Sequence, residues 1–122
     1  MILGINHVQL TMPFGEEPTA RQFYGELLGL TELQKPEHLK ANGGVWFSIG
    51  DLQLHLGCEA LSNRQISKAH VALNVTSAEH WRMAFTQHSV PIFENAQIEG
   101  YKRFDIRDPF GNRIEIMERV TN

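Results

Sequence analysis

The sequence predicts an α+β fold built from two similar halves. In each half a short strand is followed by an amphipathic helix and then by three β-like segments, the last two of which form a hairpin. A His-Val pair lies at the same place in the first strand of each half, in INHVQLTM (residues 5–12) and in KAHVALNV (residues 68–75). His7 and His70 are 63 residues apart, about half of the 122-residue chain, which indicates an internal duplication.

The helix of each half is predicted from apolar residues at the three-and-four spacing that gives a helix one apolar face. The first helix carries Ala20, Phe23, Tyr24, Leu27 and Leu28, and the second carries Ala78, Trp81 and Phe85. Pro18 suits the first turn of the first helix, and Gly29 suits its C-terminal end. Thr76 and Glu79 match a capping box, so Thr76 is the expected N-cap of the second helix.

Two hairpins occupy matching places in the halves. GGVWFSIGDLQLHLG (residues 43–57) alternates on both sides of a Gly50-Asp51 turn, and YKRFDIRDPFGNRIEIME (residues 101–118) alternates around residues 108–112. A short strand before each hairpin is expected near residues 31–34 and 91–94. The chain is therefore interpreted as one domain of two modules, at about residues 1–60 and about residues 67–122.

Composition limits the possible functions. With 42% hydrophobic and 20% charged residues, a chain of this length is typical of one soluble domain. The net charge of −3, with scattered Lys and Arg, argues against a nucleic-acid partner. Cys58 is the only cysteine, which excludes an intrachain disulfide and a thiolate zinc cluster. No basic leader and no apolar run of about 18–20 residues is found, so a cytoplasmic protein without a membrane span is expected.

Alternation along the strands assigns side chains to faces, because neighbouring residues point to opposite sides of a sheet. Every strand then has one apolar and one polar face. The polar faces carry His7, Gln53, His55, His70, Arg103 and Glu115. Such a face can simply be solvated, but solvated faces are usually rich in Lys and Thr rather than in His, Gln and Arg. Two half-sheets curling toward each other would form a cleft lined by these residues.

Three of these residues predict a metal site. Two neutral imidazoles, His7 and His70, and one carboxylate, Glu115, can supply three ligands to a divalent ion and leave positions open for water or substrate. The alternative for either His alone is a structural or surface role, since His is intermediate in burial. Their equivalent positions in the two halves favour the metal.

The paired INHV and KAHV strands, the GDLQLHLG hairpin and the RDPFGNRIEIME segment resemble the vicinal oxygen chelate superfamily. This superfamily includes glyoxalase I, fosfomycin-resistance thiol transferases, extradiol dioxygenases and bleomycin-resistance proteins. The likeness covers essentially the whole chain. It implies two tandem βαβββ modules forming an incomplete barrel around a divalent ion, namely Mn, Ni, Zn, Fe or Co.

The resemblance also implies roles for individual residues. His7 matches the ligand on the first strand, His70 the ligand that opens the second module, and Glu115 the ligand on the last strand. Glyoxalase I has a further Glu on the last strand of its first module, where this chain reads LQLHL. Gln53 or His55 can take that ligand place, and His55 can also act as a general base. Independently of the resemblance, Arg103 and Asp105 lie on the metal-facing side of their strand, so Arg103 is expected to hold a substrate carboxylate or phosphonate, or else to form a structural pair with Asp105.

By this resemblance the chain is expected to be a metal-dependent glyoxalase-like lyase or isomerase, or a fosfomycin-type thiol transferase. Its metal would chelate two adjacent oxygens of a small substrate, with or without a thiol cosubstrate. The alternatives are a metal-free drug-binding protein of the bleomycin-resistance type and a small extradiol dioxygenase-like protein. A homodimer is expected, in some members with His7 from one chain completing the site of the other.

Overall fold

The computed structural model describes residues 1–121, and the chain forms two compact units, Met1–Asn63 and a second that begins at Arg64. Each unit contains one four-stranded mixed sheet and one main helix, in the order strand, helix, three strands. Each sheet is open, with a strand at either edge. The predicted α+β class with two tandem βαβββ modules is confirmed.

The first unit has the strands β1 (His7–Met12), β2 (Thr31–Leu33), β3 (Val45–Ile49) and β4 (Leu52–Cys58) in the spatial order β1-β4-β3-β2. The strands β1 and β4 are parallel, and the other neighbours are antiparallel. The helix α1 (Glu17–Ala20) continues as a π-helix (Arg21–Leu27), and a 3₁₀ helix (Glu37–Asn42) precedes β3.

The second unit repeats this plan. It contains β5 (His70–Asn74), α2 (Ala78–Gln87), β6 (Ile92–Phe93), β7 (Tyr101–Arg107) and β8 (Arg113–Arg119). The spatial order is β5-β8-β7-β6, with β5 and β8 parallel and the other pairs antiparallel. Both predicted hairpins and both predicted short strands are present.

The first helix differs from an ordinary α-helix over its second half. The N–H of Leu28 donates to the carbonyl of Phe23, five residues earlier, at 2.9 Å, as in a π-helix. The predicted ends are correct, since Pro18 lies in the first turn and Gly29 follows the last turn with φ +77°. The apolar spacing correctly predicts the inward face, with Phe23 and Tyr24 buried.

The predicted N-cap of α2 is wrong by one residue. Ser77, not Thr76, caps the helix, and its side chain accepts a hydrogen bond from the His80 N–H at 3.1 Å. The Ala78 N–H is taken by the Glu118 carboxylate of β8 at 2.8 Å, which fixes where the helix begins. Within residues 1–121 no helix has the length and apolar character needed to cross a bilayer.

The apolar strand faces form the two cores. In the first unit the buried residues of the sheet and helix are Met12, Ala20, Phe23, Tyr24, Val45, Phe47, Leu54 and Leu56. In the second unit they are Ala78, Phe85, Phe104, Ile106, Ile114 and Ile116. Phe85 of α2 meets Phe104 of β7 edge-on, with 6.1 Å between ring centres. Burial of the apolar face of each sheet leaves its polar face to carry the candidate site residues of that unit.

The turn between β7 and β8 is organised by one buried carboxylate. Asp108 Oδ1 accepts hydrogen bonds from the backbone N–H groups of Phe110 and Asn112, at 2.9 Å and 2.8 Å. Its Oδ2 accepts a third hydrogen bond from Asn112 Nδ2 at 2.8 Å. This turn fixes the start of β8 and hence the position of Glu115.

Replacing Asp108 by Ala should lower the free energy of unfolding by about 2–4 kcal/mol, because two buried backbone donors lose their acceptor. Asp51→Ala is the matched control, since Asp51 lies exposed in the other hairpin turn and should change stability by about 0.5 kcal/mol or less. Urea unfolding of both variants provides the measurement. Equal losses in the two variants would contradict the role of Asp108.

Candidate metal centre

The second unit brings two of the predicted ligands into contact. His70 lies on β5 and Glu115 on β8, and the register places Ala72 directly opposite Glu115, so His70 is its diagonal neighbour on the same face. His70 Nε2 lies 3.1 Å from Glu115 Oε1. The Glu115 side chain is only 7% exposed, whereas that of His70 is 33% exposed. The carboxylate is thus deep in the site, and the imidazole lies at its rim.

The second nitrogen of His70 sets its tautomer. Nδ1 lies 2.9 Å from the carbonyl oxygen of Lys68, which can only accept a hydrogen bond, so Nδ1 carries the proton. When the imidazole is protonated, Nε2 donates to Glu115 as an ion pair; in a neutral imidazole Nε2 instead presents a lone pair toward the carboxylate oxygen. Two facing acceptors fit a shared cation, and a metal-ligating His commonly donates its other N–H to a backbone carbonyl. The donor set therefore fits a divalent metal.

Arg103 holds the other oxygen of Glu115. Its Nη1 donates to Glu115 Oε2 at 2.9 Å, and its Nε donates to the Ala96 carbonyl at 3.0 Å. Side-chain exposures of 13% for Arg103 and 7% for Glu115 place this ion pair away from solvent. Breaking such a pair by removing one partner is strongly destabilising. Arg103 therefore fixes the orientation of the carboxylate that faces His70.

The alternative prediction for Arg103, a structural ion pair with Asp105, is wrong. Asp105 instead pairs with Arg113 of β8 and accepts a hydrogen bond from Asn95 Nδ2 at 2.7 Å. The register explains the exchange, since Asp105 and Glu115 are directly opposite each other. Arg103 of β7 therefore pairs with Glu115 of β8, and Arg113 of β8 pairs with Asp105 of β7.

The third predicted ligand, His7, belongs to the first unit. Its Nδ1 lies 2.9 Å from the Oδ1 of Asn6, a carbonyl oxygen that accepts the Nδ1 proton. His7 is exposed, and Nε2 is the ring nitrogen that is not bonded to Asn6. Among residues 1–121 no group of three His, Cys, Asp or Glu side chains forms a ready metal-binding cluster.

His55 lies in a stack of three rings on the polar face of the first sheet. The His7 ring lies 4.2 Å from it at an interplanar angle of 14°, and the Trp46 ring lies 4.1 Å from it at 3°. His55 is 4% exposed, although it lies on the polar face. The register agrees with the stack, since Trp46 is the direct partner of His55 and His7, two residues before its partner Gln9, is a diagonal neighbour. Both faces of the His55 ring are therefore covered.

The nitrogens of His55 are also constrained. Nε2 lies 2.9 Å from Gln53 Oε1, so the Gln53 amide oxygen accepts its proton. Burial, followed by the charges of His7 and Lys35, lowers the pKa of His55. The ring is consequently neutral, and Nδ1 is its one nitrogen with a lone pair. The oxygen of Gln53, the other candidate for the fourth ligand place, is engaged by this hydrogen bond.

The two sheets show that His55 and Glu115 are equivalent positions. In the first unit His7 is paired with Gln53, and Gln9 with His55. In the second unit His70 is paired with Arg113, and Ala72 with Glu115. The position that holds a carboxylate in the second unit thus holds an imidazole in the first.

Comparison with known proteins identifies the family. A sequence profile of the Glyoxalase/Bleomycin resistance protein/Dioxygenase superfamily matches residues 4–116. The crystal structure of a protein assigned to the glyoxalase family from Bacillus anthracis is 39% identical, with a TM-score of 0.91 over 98% of both chains. The chain belongs to this superfamily.

Other members of the superfamily share the fold at lower identity. A glyoxalase/dioxygenase from Nostoc punctiforme is 22% identical, with a TM-score of 0.80 over 97% of this chain and 92% of that chain. The fosfomycin resistance protein FosX from Listeria monocytogenes is 16% identical, with a TM-score of 0.79 over 98% of this chain and 96% of that chain. No curated protein matches the sequence. The superfamily is therefore shown, and the reaction is not decided by these likenesses.

Some residues of the site were not predicted from the sequence. Asn6 and Lys68 orient the rings of His7 and His70. Asn6 directly precedes His7, so its proximity offered a signal, whereas a backbone carbonyl such as that of Lys68 offers none. Trp46 also was not predicted, because its stacking on His55 depends on the register of β3 and β4.

Proposed function

We propose that this superfamily member is a divalent-metal-dependent enzyme that acts on a small substrate with two adjacent oxygens. The observation that carries the proposal is the approach of His70 Nε2 to Glu115 Oε1 while the other His70 nitrogen donates to a carbonyl. This arrangement supplies one imidazole and one carboxylate ligand with fixed orientations.

His7 is proposed as the third protein ligand, with its Nε2 available because Nδ1 faces Asn6. Two imidazoles and a carboxylate suit Mn, Fe, Co, Ni or Zn, for which ligand type alone does not select one ion. We further propose a homodimer in which His7 of one chain joins His70 and Glu115 of the other. The free edges of β1 and β5, the strands that carry the two His residues, are compatible with such an assembly.

When bound, the metal would act as a Lewis acid on the substrate oxygens. The role of Arg103 follows from its donors: three of its five N–H groups are used by Glu115 and Ala96, which leaves two for an anionic oxygen of the substrate. Arg103 thus orients Glu115 and can hold a carboxylate or phosphonate in the same site. No carboxylate lies at the His55 position to move a proton, which separates this chain from glyoxalase I.

The proposed reaction is that of a glyoxalase-like lyase or isomerase, or of a fosfomycin-type thiol transferase, in the cytoplasm. It is tested by metal analysis and a substrate panel. The purified protein should contain about one divalent ion per chain after loading, and turnover of a 2-oxoaldehyde hemithioacetal, of fosfomycin with a thiol, or of a catechol should require it. Chelation should abolish that turnover, and the reloaded ion should restore it. Tight binding of a drug such as bleomycin without any bound metal would instead support the metal-free binding protein.

His55 is proposed to act through His7. With both ring faces covered and Nε2 bonded to Gln53, the contact that His55 makes with the metal site is its stack on the His7 ring. A ring held at 4.2 Å restricts the rotamers of His7 and reduces the entropy lost on metal binding. We therefore propose His55 as a positioning residue, and its Nδ1 lone pair makes a ligand role and a base role the alternatives that two variants separate.

Replacing His55 by Ala should weaken metal binding by about tenfold or more, whereas His55→Phe should stay near wild type because the stack is kept. Isothermal titration with Zn²⁺ or Mn²⁺ measures both, and thermal unfolding controls for lost stability. If His55 were a ligand, the Phe variant would lose as much affinity as the Ala variant. If it were the base, both variants would keep the metal and lose turnover.

A further inference from the structure

The first unit contains a cavity of about 260 Å³ whose polar lining is provided by Gln9, Lys35, Asn42 and Trp46. Gln9 and Trp46 lie on the same sheet face as His7 and His55. Trp46 is shared by the cavity and the ring stack. Two residues of the cavity therefore share a sheet face with the proposed ligand His7.

Two glycines shape this cavity. A Cβ on Gly57 would lie 2.7 Å from the amide nitrogen of Gln9, so the Gln9 side chain lies directly over this position of β4. Gly44 has φ +92°, and a Cβ there would lie 2.6 Å from the Leu56 carbonyl oxygen. The backbone of residues 43–44 therefore packs tightly against β4, and the Gly43 carbonyl is held near Lys35.

Lys35 brings a positive charge into the cavity. Its ammonium group donates to the Gly43 carbonyl oxygen, a neutral acceptor, and two further N–H donors remain. In the part of the chain that the structure describes, Lys35 forms no ion pair with a carboxylate. The charge of Lys35 also acts on Cys58 in the cavity wall. Burial and Glu17 raise the pKa of the Cys58 thiol, and Lys35 offsets part of that rise.

We propose that this cavity binds an oxyanion group of the substrate, a carboxylate or a phosphonate, with Lys35 as the principal contact. Gln9 and Asn42 supply neutral side-chain amides beside it. Gln9 is two residues from His7 along β1, a separation of roughly 7 Å at the usual rise of a strand. The substrate class is then a small molecule that carries an anionic group in addition to its metal-chelating oxygens. The substrate assignment rests on the proposed function, whereas anion binding by Lys35 does not.

The test uses fluorescence, because Trp46 lines the cavity and the chain has one other tryptophan, Trp81. In a Trp81→Phe background, metal-free protein is titrated with methylphosphonate and with acetate at low ionic strength. Both anions should change the Trp46 emission with saturation, and neutral acetamide should not. Lys35→Met should weaken anion binding by about tenfold or more, as expected for loss of a charge-assisted hydrogen bond.

Lys40→Met is the matched control, since Lys40 lies in the neighbouring 3₁₀ helix and pairs with Glu37. It should bind both anions as the parent protein does. Unchanged anion binding in Lys35→Met, equal binding of acetamide, or no saturable response would overturn the inference. If Lys35-dependent anion binding is found but no divalent metal binds, the anion site stands and the proposed metal-dependent function fails.

Discussion

Glu115→Gln should lower the affinity for a divalent ion by at least about 100-fold, more than the 10–100-fold that loss of a supporting contact typically costs. The substitution keeps the shape of the side chain and removes the charge that faces His70 Nε2 at 3.1 Å. A neutral amide is a weak ligand for the proposed ions, and the amide can also turn its nitrogen toward the metal. Metal content by mass spectrometry and a competitive chelator titration measure the loss.

Stability must be separated from metal affinity in this variant, because Arg103 loses a buried ionic partner. Arg103 keeps its hydrogen bonds to the Ala96 carbonyl, so the variant is expected to fold. Glu99→Gln is the matched control, since Glu99 is exposed in the loop before β7 and its replacement changes the net charge equally. Equal metal affinity in both folded variants would remove Glu115 from the ligand set.

Mixing two inactive variants should restore metal binding if the site is shared between chains. His7→Ala and Glu115→Gln each lack one ligand, but a mixed dimer holds one site with neither defect. Random reassociation of equal amounts makes half of the dimers mixed, so about a quarter of the wild-type sites should return. Turnover of any substrate found in the panel should return in the same proportion.

The pair His70→Ala and Glu115→Gln is the control for this mixing. Both defects lie in the second unit, so no site of their mixed dimer has a complete ligand set, and no recovery is expected. If native mass spectrometry shows mixed dimers of the first pair without recovered metal, then His7, His70 and Glu115 do not form a shared site between chains.

The strand faces could be predicted from the sequence because the side-chain period of a strand is fixed. His7, His55, Arg103 and Glu115 all lie on polar faces, as alternation predicts. Alternation does not give the offset between neighbouring strands. The offset decides which charged groups pair, so the ion pairs of Arg103 and Arg113 could be assigned only from the register in the structure. The same holds for the stack of His55 between two rings.

The helices illustrate a second limit. Thr76 and Ser77 both carry hydroxyl groups, and the choice of N-cap depends on Glu118, which is remote in sequence and accepts from the Ala78 N–H. The π-helical turns after Ala20 keep Phe23 and Tyr24 buried, so the apolar spacing is satisfied by either helix type. Lys35 was not predicted as a binding residue, because it lies between β2 and the 3₁₀ helix. No periodic pattern there indicates which way its side chain points.

The most direct measurement is anomalous diffraction from crystals grown with Mn²⁺ or Zn²⁺. The proposed metal site predicts a peak at about 2.0–2.2 Å from both His70 Nε2 and a carboxylate oxygen of Glu115, with a His7 Nε2 as the third ligand. Well-ordered His70 and Glu115 side chains that keep their direct 3.1 Å contact, with no peak beside them, would contradict it.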